Sequence, residues 1–215
     1  MMDCCSRHVT AAGRCFSWMS KLSDRRYRSK GLDDNQLQIV DALASLGIDG
    51  VSILEVGCGV GELHQTLLEK GAATAIGVDL APRMLEFAEN RARERQLEQR
   101  TKYELGDFVE LSDTFETVDI TVMDKVVCCY PAPGELVEAA ASRTRSAIAL
   151  TYPRSHFFSK LSNHLWNFGF WLFRSDFRGF VHDPKFVQQS IEARGFHRVF
   201  NHDSPMWHTQ VYAAN

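Results

Sequence analysis

The stretch Glu55-Val-Gly-Cys-Gly-Val-Gly61 constrains this chain more than any other. It follows the apolar run 51–56 directly and precedes a segment with Leu63, Leu67 and Leu68 on one helical face. Glycines at 57, 59 and 61 let the backbone turn sharply and approach a ligand where a Cβ would collide. The helix that starts there presents free N–H groups to polar ligand atoms. A strand, a glycine turn and a helix in that order open a βαβ unit and a parallel sheet.

From Gln36 onward the chain continues that alternation. A second strand spans 75–79, and a helix begins near Pro82, turning Met84, Leu85, Phe87 and Ala88 inward. Strands follow at 102–105, 118–123 and 147–151, with a short helix at 135–143. A last helix covers 184–194, and strands at 197–202 and 207–213 close the sheet as an antiparallel pair. Residues 1–35 have weak periodicity and read as an N-terminal extension over the sheet edge or a cofactor. Residues 36–215 then form one domain.

A formal net charge of −3 gives no strongly basic face, which argues against a nucleic-acid partner. The clusters Arg25, Arg26, Arg28, Lys30 and Arg91 to Arg95 read as solvated helix faces. The six cysteines include the neighbours Cys4-Cys5 and Cys128-Cys129, which do not make a disulfide framework. No CxxC or CxxxH spacing points to a metal. Reduced thiols in a cytoplasmic protein fit this pattern, as does the lack of a signal-peptide core in the first residues. The most apolar stretch, 165–173, falls far short of the roughly 20 residues that span a bilayer.

Asp79 ends the second strand, where a carboxylate can accept from a ribose diol or cap the helix beginning at Pro82. A dinucleotide enzyme would share that acid and the glycine turn. Gly106-Asp107-Phe108 after the third strand argues for something else. Its Asp can take an exocyclic adenine amine while the Phe ring covers the base.

Glu55, Gly57, Gly59, Gly61, Asp79, Asp107 and Asp124 together resemble the pattern of the class I S-adenosylmethionine-dependent methyltransferase family, over about residues 39–215. The resemblance implies an α/β, Rossmann-like doubly wound sheet of seven strands in the order 3-2-1-4-5-7-6. Its last strand would be antiparallel, with helices on both faces. It also implies S-adenosyl-L-methionine across the strand carboxyl ends. Asp79 with Leu80 would hold the ribose, Asp107 and Phe108 the adenine, and Gly57 to Gly61 with Cys58 the methionine portion. Cys58 also reads as a small filler. Asp124 and Lys125 hold either the loop or the cofactor's amino acid end.

The loop Asp124-Lys-Val-Val-Cys-Cys-Tyr-Pro131, with Thr151-Tyr-Pro-Arg154 and the later Val181-His182, is similar to the magnesium-protoporphyrin O-methyltransferase branch and its bacterial relatives. Tyr27-Arg-Ser-Lys-Gly-Leu32 resembles a segment that covers the cofactor in those relatives. The Cys128-Cys129 doublet and the short C-terminal half depart from the porphyrin enzymes. Tyr130, His182 and Asp124 are the catalytic candidates, since a phenol can orient an acceptor and a histidine can take a proton. The rival reading is a loop-filling Tyr and a surface His. The aromatic segment from Phe157 to Phe180 reads first as core packing. An apolar acceptor pocket, or a peripheral membrane contact beside Lys160, Arg174 and Arg178, are its alternatives.

The expected function is methylation of a small-molecule acceptor, leaning to S-methylation of a small thiol or sulfide because a thiol needs no strong protein base. O-methylation of a porphyrin carboxylate is the alternative, and a non-catalytic cofactor-binding subunit is the rival from another class. No motif specifies the oligomeric state.

Overall fold

The computed structural model describes residues 2–215, with side chains from Arg7 onward, so Cys4 and Cys5 lie outside the described side chains. The chain begins with two helices, α1 (Met2–Lys30) and α2 (Asp34–Leu46). The βα units follow as β1 (Ser52–Val56), α3 (Glu62–Glu69), β2 (Thr74–Asp79), α4 (Pro82–Glu94) and β3 (Thr101–Leu105). After them come α5 (Phe108–Leu111), β4 (Val118–Asp124), α6 (Pro133–Ser142) and β5 (Thr144–Pro153). The last part holds α7 (Phe157–Leu172), α8 (Pro184–Glu192), β6 (Phe196–Asp203) and β7 (Trp207–Ala214).

The strands form one seven-stranded sheet in the order β3-β2-β1-β4-β5-β7-β6. The first five are parallel, and β7 runs antiparallel to both β5 and β6. The order reverses between β1 and β4, the switch point at which such sheets open a crevice.

Alternating strand residues feed two separate cores. Ile53, Ile120, Val122, Ala147, Ala149 and Val211 meet α2 and α3 through Ile39, Leu43, Leu63 and Leu67. Leu54, Met123, Ile148, Leu150 and Tyr212 meet α6 and α8 through Leu136, Val137, Val187 and Ile191. Such double-sided burial is what parallel strands with helices on both faces require.

Two expectations are corrected. The cluster at 91–95 is not simply a solvated face, because Arg91 is only 5% exposed. Its guanidinium joins Asp24 on α1 to Glu62 on α3, and Arg95 also reaches Glu62. The aromatic segment is not core either. Ser159 is the one buried residue of α7, whereas Phe157 and Phe158 are each 72% exposed. Phe177, beyond the helix, does reach the interior.

Candidate functional site

A cavity of about 300 Å3 opens where the carboxyl ends of β1, β2 and β4 meet. Its floor is the glycine turn. Gly57, Gly59 and Gly61 all have positive φ (66°, 53° and 81°), which favours glycine. A Cβ on Gly57 would strike Val126 at 2.5 Å, whereas one on Gly59 would meet nothing within 4 Å. The turn is tied to β2 by Gly57 N and Cys58 N, which both donate to the Val78 carbonyl. Cys58 is buried in the turn, and its thiol occupies space that a Cβ on Gly77 would contest. Burial, then Asp79 and Glu55, push that thiol well above its usual range, so it is a packed filler rather than a nucleophile.

Five carboxylates line the cavity: Glu55, Glu62, Asp79, Asp107 and Asp124. Burial pushes Glu55, Asp79, Asp107 and Asp124 upward from the usual carboxylate range. Asp79 rises to about 6, even though Ala81 N and Gly59 N each donate to it at 2.8 Å. It therefore braces the turn into α4 as well as facing the cavity. Asp107 accepts from Val109 N at 2.9 Å, capping α5, and from the Tyr130 hydroxyl at 3.2 Å. Phe108 packs on Phe115 at 6.1 Å beside it. Glu55 is bound to α3, with His64 Nδ1 at 2.5 Å and His64 N at 3.1 Å from the same oxygen. That engagement anchors the first turn of α3.

Asp124 sits at the switch point. Its Oδ2 accepts from Gln36 Nε2 at 2.8 Å, while Oδ1 is buried with no partner and lies across the strand pair from Thr151. Lys125 adopts φ 58° and reaches from the cavity wall to Asp33 at 2.5 Å and Asp124 at 3.4 Å. Burial opposes its charge, but Asp124 and Asp33 outweigh that and hold the ammonium above its usual range. Its Nζ also lies 5.7 Å from the centre of the Trp207 ring.

Helix α1 completes the wall. Ala12, Phe16, Met19, Ser23 and Tyr27 line the cavity along one helical stripe. Gly13 allows the close approach, since a Cβ there would lie 2.5 Å from the Leu80 carbonyl oxygen. The Tyr27 hydroxyl accepts from Gln36 Nε2 at 2.8 Å. Gln36 thus links α1, α2 and β4, and its Oε1 completes a capping box with Asp33. The sequence reading missed Gln36. The pattern Asp33 followed by Gln36 signals a helix start, not a cavity.

Of the candidate residues, Tyr27, Glu55, Gly57, Cys58, Gly59, Asp79, Leu80, Asp107, Phe108, Asp124, Lys125 and Tyr130 all line this cavity. Gly61 lies behind it, packed on Gln65 and Ala88. His182 is not among the lining residues. It is half-buried, burial pushes its imidazole down, and its Nε2 bonds the Tyr130 carbonyl at 3.0 Å. No described histidine lines the cavity.

Residues 53–147 match the family of methyltransferase domains. The methyltransferase GfsG of Streptomyces halstedii is 36% identical over 72 residues, covering 32% of this chain and 26% of that protein. The first curated relatives are thus matched over about a quarter of their length. Two solved structures share the fold over nearly the whole chain. One is magnesium protoporphyrin IX methyltransferase from Synechocystis PCC 6803 with bound S-adenosylhomocysteine (TM-score 0.70, 18% identity, 94% of this chain and 99% of that one). The other is the [4+2]-cyclase SpnF (TM-score 0.72, 12% identity, 96% of each chain). The second shows that the architecture alone does not fix the chemistry. Residues 53–147 thus match a methyltransferase domain, and they are set in a sheet whose fold is shared with a solved methyltransferase.

Proposed function

We propose that the cavity binds S-adenosyl-L-methionine and that the chain transfers its methyl group to a small molecule. The observation that carries this reading is the lining, where five carboxylates stand against Lys125 and Arg26 as the lining cations. Such a surface suits a ligand bearing a sulfonium and an ammonium, and it opposes a polyphosphate. The partnerless Oδ1 of Asp124 is an acceptor that an ammonium would satisfy, and the open space over Gly59 leaves room for close approach.

In this reading Asp79 with Leu80 holds the ribose, and Asp107 with Phe108 holds the adenine. The turn from Gly57 to Gly61, with Asp124 and Lys125 beside it, takes the methionine end. Glu55 acts one step removed, by fixing His64 and the start of α3. The bound cofactor supplies an electrophilic methyl group on sulfur. The protein aligns the acceptor with it and excludes water, which α1 does by covering the cavity. Residues 1–35 are thus the cover over the cofactor. Tyr130 orients, with its hydroxyl committed to Asp107. His182 is left without a role as base at this cavity.

A site with no histidine suits an acceptor that arrives already ionised. We retain a small thiolate as the first reading. A carboxylate is the second, favoured by the groove beside the end of β5 where Arg154, Lys160 and Lys185 gather. The test is S-adenosylhomocysteine formation by the purified protein with a panel of small thiols and, in parallel, magnesium protoporphyrin. Turnover on a thiol, lost in Asp79→Ala, supports S-methylation. Turnover on the porphyrin alone moves the assignment to O-methylation. Tight cofactor binding with silence on both favours a non-catalytic subunit.

A further inference from the structure

Helix α7 is built inside out. Its inward stripe is polar: Asn163 and Asn167 donate to the Gly179 carbonyl at 3.0 and 2.9 Å, and Gly179 N returns a bond to Asn167 at 2.8 Å. Ser159 lies on the same stripe and is only 3% exposed. The opposite face carries Phe157, Leu161, Phe168 and Leu172, spaced by four, seven and four residues, with Phe158, Leu165 and Trp171 alongside. Apart from Leu161, at 45%, these side chains are between 59% and 72% exposed. A helix facing water carries the reverse arrangement, so this face is made for an apolar medium.

The charges around the face narrow what that medium is. No Asp or Glu occurs within α7. Lys160 is on its flank and exposed Arg174 follows its last turn. At its N-terminal end a groove gathers Arg154, His156, Lys160 and Lys185 around a single acid, Asp183. Asp176, beyond the C-terminal end, is the one acid near Arg174 and Arg178 in sequence. Two copies packed face to face would bring these cations together. An anionic lipid surface would neutralise them while its acyl region receives the aromatic side chains. At 16 residues the helix is about 24 Å long, too short for a hydrocarbon core of about 30 Å. No helix among the described residues is long and apolar enough to cross a membrane. The helix therefore lies in the plane of the interface.

We propose that α7 docks this chain onto the surface of an anionic bilayer, with Phe157, Phe168, Trp171 and Leu172 inserted and Lys160 and Arg174 at the headgroups. Because α7 leaves the carboxyl end of β5, the docked surface is on the side of the sheet that carries the cavity. The docking does not depend on the methyl-transfer reading, and its test involves no turnover.

The experiment is co-sedimentation of the full chain with vesicles of phosphatidylcholine alone, and of phosphatidylcholine mixed with phosphatidylglycerol. The chain is expected to partition onto the mixed vesicles and to release as salt is raised. Joint Phe168→Ser and Trp171→Ser substitution is expected to weaken partitioning at least tenfold. Both side chains are mostly exposed, so an unchanged melting temperature shows that the fold is intact. Joint Lys160→Glu and Arg174→Glu substitution is expected to weaken it at least tenfold, since each basic residue near such a surface contributes roughly fivefold. Failure of the wild type to bind the mixed vesicles overturns the proposal. So does a lipid-free dimer that the Phe168→Ser, Trp171→Ser variant converts to a monomer, because the face would then belong to a second copy.

Discussion

Lowering the pH should loosen the cofactor through Asp79. In the free protein burial pushes this carboxyl up to about 6, outweighing its backbone N–H donors. The ionised form accepts from both hydroxyls of a ribose diol, whereas protonation turns one oxygen into a donor. At pH 5 a group of pKa about 6 is ionised in about one molecule in eleven, so affinity should fall about tenfold between pH 7.5 and pH 5. Glu55, Asp107 and Asp124 are pushed up as well and can steepen the fall, so the assignment rests on a variant. Asp79→Asn should weaken S-adenosylhomocysteine binding at pH 7.5 by about 10-fold to 150-fold, the range for a hydrogen bond to a charged group. It should also flatten the remaining pH profile. Calorimetric titration of both proteins across that range reads the two effects together. A wild-type affinity independent of pH, or an Asp79→Asn profile as steep as the wild type, would refute the reasoning.

The same raised pKa has a consequence for stability. The folded chain holds the Asp79 proton more tightly than the unfolded chain, so this group's contribution falls as pH rises from about 4 through 6. Asp79→Asn should reduce that slope in urea melts of the ligand-free protein. Gly13→Val should displace α1 from Leu80, where a Cβ meets the carbonyl oxygen at 2.5 Å. The expected cost is about 1–3 kcal/mol, with S-adenosylhomocysteine affinity reduced and the sheet intact by circular dichroism. Arg91→Met strips the shared partner from buried Asp24 and Glu62 and should cost about 3–5 kcal/mol in chemical denaturation. A loss below about 1 kcal/mol would mean the network does not hold α1 in place. Gln36→Leu removes donors to Tyr27 and Asp124 and should cost about 1–3 kcal/mol, with protease cleavage inside α1 accelerated.

The sheet was legible because its signals are local. Apart from the polar β3 at the sheet edge, each parallel strand is a largely apolar run, and Gly57, Asp79, Gly106 and Asp124 fall at strand ends. Helix α1 did not show, for a physical reason. Its buried face includes Ala12, Gly13, Ser20 and Asp24, small or polar residues chosen for close approach and ion pairing, while Trp18 is 84% exposed. Apolar periodicity cannot report a helix packed in that way. Helix α7 misled for the opposite reason, since its aromatic density marks a face turned outward rather than a core. The cavity was readable wherever a strand end carries a carboxylate. Gln36 and the α1 stripe were not readable, because they arrive from the far N-terminal part of the chain.

Hydrogen exchange with and without S-adenosylhomocysteine tests the central claim most directly, with NADH as the comparison ligand. Slowed exchange is expected in residues 55–61, 79–81 and 106–109 and along α1 from Ala12 to Tyr27, with no comparable effect of NADH. Protection by NADH at those segments, or S-adenosylhomocysteine protection confined to other parts of the chain, would contradict it.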